Sequence, residues 1–281
     1  MGIAVVCLTL GYLAFRMHAV YRAAQLEFHP LPVQLGAPPA GLAAVEFPSR
    51  DGSLLRGWFS AGTRGAAVVL LHGSEADRRQ LLPEAQALSA AGFGVLLFDW
   101  PGEGESEGKI TWSRTEPEAL LGALDWLGKA APRQRLGALG FSMGAGILAV
   151  VAARDPRLEA LVLEAPILDM DDEVAREYGH WGLLTRLPAW LGKRAGGYDP
   201  SAPKPLEVMA AMTPRPLLVI AGAADPVAPP EDARRLLAAA PGAGSLWIVP
   251  GARHGGYRQA AGPEYEARLV QFFAESLPAA R

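Results

Sequence analysis

Leu139-Gly140-Phe141-Ser142-Met143-Gly144-Ala145-Gly146 joins an apolar run that ends at Phe141 to a run of helical character that begins at Met143. A serine flanked by small residues at such a junction reads as a sharp strand-to-helix turn. Gly140 and Gly144 let the two backbones approach without Cβ clashes. The turn pushes the Ser142 hydroxyl clear of the sheet, and the first turn of the following helix offers free N–H groups to an anion forming beside it. Ser142 is therefore the candidate nucleophile, and the elbow sets what the rest of the chain must supply: a strand before, a helix after, an acid and then a histidine downstream, and a His-Gly turn upstream.

Working upstream, Ala66 to Leu71 is a continuous β-favouring apolar run, the signature of a strand covered on both faces, and it ends in His72-Gly73-Ser74. A helix follows over Leu81 to Ala91, then a buried strand over Gly94 to Phe98. Next come the Gly- and Pro-rich loop Asp99 to Gly108, a helix over Ser113 to Lys129 with Thr115 as its cap, and the strand Arg135 to Phe141. Nearer the N-terminus, Ala43 to Pro48 and Leu54 to Ser60 flank Asp51-Gly52 as an edge hairpin. Asp77, Arg78 and Arg79 read as capping and solvating the helix after the His-Gly turn. Trp100 reads equally as an acyl-pocket wall or as core.

Downstream, Leu158 to Leu163 is the next buried strand. The segment from about 167 to 212, rich in Trp, Gly, Pro and charge, reads as a helical cap inserted over the site. Strand and helix then resume over Leu217 to Ala221, Pro230 to Ala240, Ser245 to Val249 and Pro263 to Ser276. This alternation predicts an α/β fold with a mostly parallel, right-handed doubly wound sheet.

A neutral serine needs a base, and the base needs an acid to orient it. His254, in the glycine-rich loop Pro250 to Gly256 after a strand, is the candidate base. Asp225, in Gly222-Ala223-Ala224-Asp225-Pro226-Val227, is the candidate acid, with Glu164 at the end of the preceding strand as the alternative. The backbone N–H groups of Met143 and Ser74 are the candidate oxyanion donors, and His72 reads as a brace between loops.

The remaining features bound the function. Across 281 residues, half are apolar and a fifth charged, and the net charge of −3 without any basic stripe argues against a nucleic-acid partner. A single cysteine, Cys7, rules out an intrachain disulfide framework or cysteine zinc site. No His or carboxylate cluster has ligand spacing, so no metal or other cofactor is expected. Residues 1–24 read as a membrane anchor or signal-like segment outside the core. Gly2 to Phe15 is apolar and uncharged, but its 14 residues cover only about 21 Å against the ~30 Å of hydrocarbon, so a span must recruit Met17 to Tyr21 and let Arg16 snorkel. An uncleaved anchor is favoured over a secretory signal, and Arg16 with Arg22 places the rest of the chain on the cytoplasmic side. Residues 25–42, dense in proline, read as a linker, and 43–281 as the catalytic domain.

Together these motifs make the chain resemble the α/β-hydrolase superfamily, and within it the membrane-tethered α/β-hydrolase-domain serine hydrolases with a short cap. The resemblance rests on Leu71-His72-Gly73, Phe98 to Ser106, Gly140-Phe141-Ser142-Met143-Gly144, Gly222 to Val227 and Gly251-Ala252-Arg253-His254, in that order. It implies an eight-stranded sheet, a Ser142-Asp225-His254 triad, Ser74 and Met143 as oxyanion donors, and hydrolysis of a small acyl ester, with the apolar cap and anchor pointing to lipid-like acyl chains. Thioesterase, peptidase or acyltransferase activity uses the same parts, and a silent membrane-tethered binding protein would keep the fold alone. One departure is Ser74-Glu75-Ala76, where these relatives more often carry an Asn-Ala-Gly-like turn; a backbone donor survives the change.

Overall fold

The structure, a computed structural model, describes residues 2–28, 33–242 and 244–279. Its strands are β1 (Ala43–Pro48), β2 (Leu54–Ser60), β3 (Ala66–Leu71), β4 (Gly94–Phe98), β5 (Arg135–Phe141), β6 (Leu158–Glu164), β7 (Leu217–Gly222) and β8 (Ser245–Val249). They form one eight-stranded sheet in the order β1-β2-β4-β3-β5-β6-β7-β8. The β1–β2 hairpin and the β2–β4 pair are antiparallel, and every other pairing is parallel.

Every residue of β3, β4 and β7 is buried, as their unbroken apolar sequences require when helices cover both faces. Period-two alternation then divides the core in two. Leu136 and Ala138 of β5 face the layer containing α3 (Thr115–Ala130) and α4 (Met143–Ala152), whereas Leu139 and Phe141 face the layer containing α2 (Leu82–Ala90) and α10 (Pro263–Ser276). Two local readings change. The residues expected to cap and solvate α2 split up: Asp77 accepts the Arg79 N–H at 2.9 Å, but Arg78 is buried against Asp99 and Glu105. Thr115 is the first residue of α3 and not its cap; Thr111 Oγ accepts from the Arg114 and Thr115 amides at 3.1 and 3.0 Å.

Between β6 and β7 the chain forms α5 (Met170–Tyr178), α6 (Leu183–Gly196) and α7 (Pro205–Val208). The N-terminal segment is a single helix, α1 (Gly2–Leu26). Among the described residues no helix is long and apolar enough to cross a membrane, so the expected spanning anchor is not found. Arg16 interrupts the apolar run, and the second half of α1 is occupied by protein contact instead. Ala24 is fully buried, and a Cβ on Gly192 of α6 would stand 2.3 Å from the Tyr21 carbonyl oxygen. The segment is thus partly in the core, contrary to the sequence reading. Of the proline-dense linker, residues 29–32 lie outside the described residues, and 33–42 carry no regular element apart from a turn. The chain closes through α8 (Pro230–Ala239), α9 (Tyr257–Ala261) and α10.

Candidate active site

The four loops that carry the candidate residues follow β3, β5, β7 and β8, so parallel strand direction alone brings them to one edge of the sheet. Ser142 stands at φ 54° and ψ −118°, a conformation strained for a residue with a Cβ. It is held there by its amide, which donates to the Glu164 carbonyl at 2.8 Å, and by close backbone packing. A Cβ on Gly140 would lie 2.5 Å from the Gly144 carbonyl oxygen, and one on Gly144 would lie 2.3 Å from that of Leu71. Glycine at both positions is a steric requirement of the turn.

Ser142 Oγ is 3.0 Å from His254 Nε2, and His254 Nδ1 is 2.8 Å from Asp225 Oδ2. With Nδ1–H donating to the carboxylate, Nε2 is free to accept the serine proton. The structure therefore brings together Ser142, His254 and Asp225, residues separated by up to 112 positions. The alternative acid, Glu164, lies elsewhere: its Oε2 accepts from the Tyr265 hydroxyl at 3.1 Å, and burial, with the nearby Glu84 charge, pushes its pKa up to about 8. Glu164 is neutral at pH 7 and suits a packing role.

Asp225 is buried, which by itself would raise its pKa, but the bonds it accepts outweigh the burial and hold it below the usual aspartate value. His254 donates to Oδ2, and the amides of Val227 and Ala228 donate to Oδ1 at 2.8 and 3.0 Å. The Tyr257 hydroxyl adds a further donor to Oδ2 at 3.1 Å. Sequence reading missed Tyr257, because no pattern ties a helix-opening tyrosine to an aspartate 32 positions earlier. Phe141 packs its ring 5.0 Å from the His254 ring and limits where the imidazole can turn.

The turn after β3 is braced from beneath. His72 is buried, with Nδ1 2.7 Å from the Gly73 carbonyl and Nε2 accepting from the Trp100 amide at 3.2 Å; burial lowers its pKa to about 4, so it is a neutral strut. Trp100 is fully buried and donates Nε1–H to the His72 carbonyl, so it is core and does not line the cavity. Gln80 accepts the Gly73 N–H at 2.7 Å and Glu103 accepts the Glu75 N–H at 2.6 Å. Ser74, between them, lines the cavity, and Met143 opens α4, where an N–H has no intrahelical acceptor.

Above the serine lies a cavity of about 510 Å³, lined by Ser74, Ser142, His254, Trp112, Phe141 and four glutamates, Glu27, Glu75, Glu173 and Glu177, with no Lys or Arg in its wall among the described residues. Carboxylate oxygens of Glu27, Glu173 and Glu177 lie within 4.8 Å of one another. The position a cation would take between two of them is filled by the chain itself. Lys193 Nζ, fully buried, is 2.5 Å from Glu27 and 3.0 Å from Glu173, over the faces of Trp112 and Tyr178. Partial desolvation at the cavity wall and the neighbouring Glu27 charge push Glu177 up to about 7, although its side chain keeps an exposed edge. None of these glutamates stood out in the sequence, because α1, the turn after β3 and α5 meet only in the folded chain.

The chain is similar to known proteins over most of its length. Residues 62–207 match the family described as serine aminopeptidase, S33, and residues 195–276 match the family described as TAP-like protein. An uncharacterized protein of Mycobacterium tuberculosis is 32% identical over 230 residues, covering 80% of this chain and 76% of its own. A polyketide transferase of Penicillium is 32% identical over 133 residues, 44% of this chain and 45% of its own. The structure of an esterase from Pyrococcus furiosus superposes with a TM-score of 0.75 at 23% identity, covering 89% of this chain and 98% of that one.

Proposed function

Because the chain belongs to the α/β-hydrolase superfamily, we propose that it is a serine hydrolase that cleaves acyl esters through an acyl-enzyme. The observation that carries this reading is the continuous hydrogen-bonded series Ser142, His254, Asp225, at 3.0 and 2.8 Å, beneath an open cavity. Ser142 Oγ attacks the acyl carbonyl as its proton passes to His254 Nε2, and Asp225 holds the imidazole and stabilises the imidazolium. The oxyanion takes the N–H groups of Met143 and Ser74, each worth about 10²- to 10³-fold in rate. Collapse of the tetrahedral species expels the alcohol, which takes the proton from His254. Water then repeats the sequence on the acyl-enzyme, releasing the acid and restoring Ser142.

The wall supports an ester over a coenzyme-bound thioester. Glu75 and Glu177, which Lys193 does not pair, disfavour a polyphosphate carrier, while a neutral ester meets no such penalty. Acyl transfer is a second reading, favoured by the likeness to a polyketide transferase. It uses the same acyl-enzyme with an acceptor other than water.

The test is labelling of the folded protein with a fluorophosphonate, with peptide mapping, followed by a panel of acyl esters with and without an acceptor alcohol. Modification at Ser142 is expected, absent in Ser142→Ala and strongly reduced in His254→Ala, with ester turnover falling on the order of 10⁴- to 10⁶-fold in Ser142→Ala. Ester product in place of free acid when the alcohol is present would favour the transferase reading. Absence of labelling in folded wild type would sink both and leave a binding protein on a hydrolase fold.

A further inference from the structure

The large apolar side chains left exposed are concentrated in one place. Apart from Val33, every one among the described residues belongs to α1 or to the stretch Trp181–Leu191 of the α6 region, with Ile3 83%, Leu8 74% and Leu183 78% exposed. The two elements pack along each other through Ala24, Tyr21 and Gly192, and the Arg16 guanidinium sits 5.3 Å over the Trp181 ring, so the exposed apolar side chains lie on neighbouring elements. A soluble protein seldom leaves so much apolar surface exposed in one region without a partner.

Charge identifies the partner. α1 and residues 179–196 hold five basic residues, Arg16, Arg22, Arg186, Lys193 and Arg194, and no Asp or Glu; this +5 stands against −8 for the rest of a chain whose total is −3. Lys193 is consumed by its buried ion pairs, whereas none of the four arginines is ion-paired to a carboxylate among the described residues. A second copy would present the same positive face and be repelled. An anionic, apolar-centred surface complements it.

We propose that the α1–α6 face docks on an anionic lipid bilayer, lying in the interface and not crossing it. The apolar side chains enter the acyl boundary while the arginines meet lipid phosphates. The apolar run ahead of Arg16 is about 21 Å long against ~30 Å of hydrocarbon and falls short of a span. The docking face is tied to the cavity: Glu27, just past α1, lines it and binds Lys193 of α6, which binds Glu173 of α5. Docking therefore sets the cavity wall beside the membrane. Delivery of substrate from the bilayer rests on the hydrolase reading; docking itself does not.

Flotation of the full chain with phosphatidylcholine vesicles, and with vesicles of equal parts phosphatidylcholine and phosphatidylglycerol, tests the proposal. Wild type is expected to float with the mixed vesicles at least about tenfold more than with the neutral ones, and less as salt rises. Leu183→Gln/Leu187→Gln, at exposed positions of α6, and Arg16→Gln/Arg22→Gln/Arg186→Gln are each expected to cut flotation by about tenfold while keeping wild-type circular dichroism and Ser142 labelling. Undiminished flotation of the α6 variant, or no vesicle binding by wild type, would overturn the proposal. So would a dimer in light scattering that the leucine substitutions dissolve without any effect on lipid binding. Loss of fluorophosphonate labelling with flotation intact would strike the hydrolase reading and leave the docking standing.

Discussion

The floor and the roof of the cavity differ in how much each relies on buried charge. The floor, from β5 through Ser142 into α4, is backbone packed against backbone: two glycines that admit no Cβ, a strained serine, and a core apolar on both sides of the sheet. The roof, from α1, α5 and α6, adds charge to the close approach of α1 and α6 at Gly192, with one buried ammonium joining carboxylates from α5 and from the turn just past α1, 146 positions apart. A floor of this kind has one geometry available, because any displacement produces steric overlap. A roof held partly by ion pairs depends on protonation and on what enters the cavity. Precision is placed where bonds are made and broken, and adjustability where a ligand is admitted.

Breaking the floor should cost most. Gly144→Ala forces a Cβ to 2.3 Å from the Leu71 carbonyl, and we expect a loss of about 3 kcal/mol or more in urea unfolding, together with loss of Ser142 labelling. In the roof, Lys193→Met leaves Glu27 and Glu173 without their cation, at an expected cost of about 3 kcal/mol near pH 8. Lys193 itself is desolvated, which disfavours its charge, but Glu173 and Glu27 outweigh this and raise its pKa, so the pair is intact throughout the neutral range. Without it the carboxylates can take up protons, and the deficit should shrink at pH 5. A deficit independent of pH would point to lost packing instead of lost charge.

Two smaller effects sharpen the contrast. Tyr257→Phe removes one of the donors to Asp225 and should lower kcat/KM by up to about tenfold, leaving the fold intact, because the His254, Val227 and Ala228 bonds remain. Near pH 5 the smallest effect is that of Glu164. Burial raises its folded-state pKa to about 8, so the native state holds a proton that the unfolded chain has released above pH ~4.5. Its contribution is complete below that pH and is lost as pH rises through 8. Glu164→Gln should flatten the fall in Tm between about pH 5 and pH 9, and an unchanged slope would refute the assignment.

Much of the floor was legible in the chain. Gly140-Phe141-Ser142-Met143-Gly144 and the apolar runs of β3 to β7 announce their structure because strand, turn and helix preferences act over a few neighbouring residues. The roof was not legible. Arg78 reads as a solvated helix-start residue and is buried beside Asp99; Trp112, at φ 64°, gives no sign in sequence that it will face both the cavity and Lys193. Residues 1–24 read as lying outside the core, yet Ala24 is core.

The sequence by itself determined the alternation of strands and helices, the turn that exposes Ser142, and the order in which serine, acid and histidine occur, since these follow from local backbone preferences and period. Only the tertiary structure decided that Asp225 and not Glu164 meets His254, that Tyr257 adds its hydroxyl, and that Glu27 closes over the site to meet Lys193. Those pairings depend on strand order and on how each helix lies on the sheet, and such relations between distant segments leave no local pattern to read.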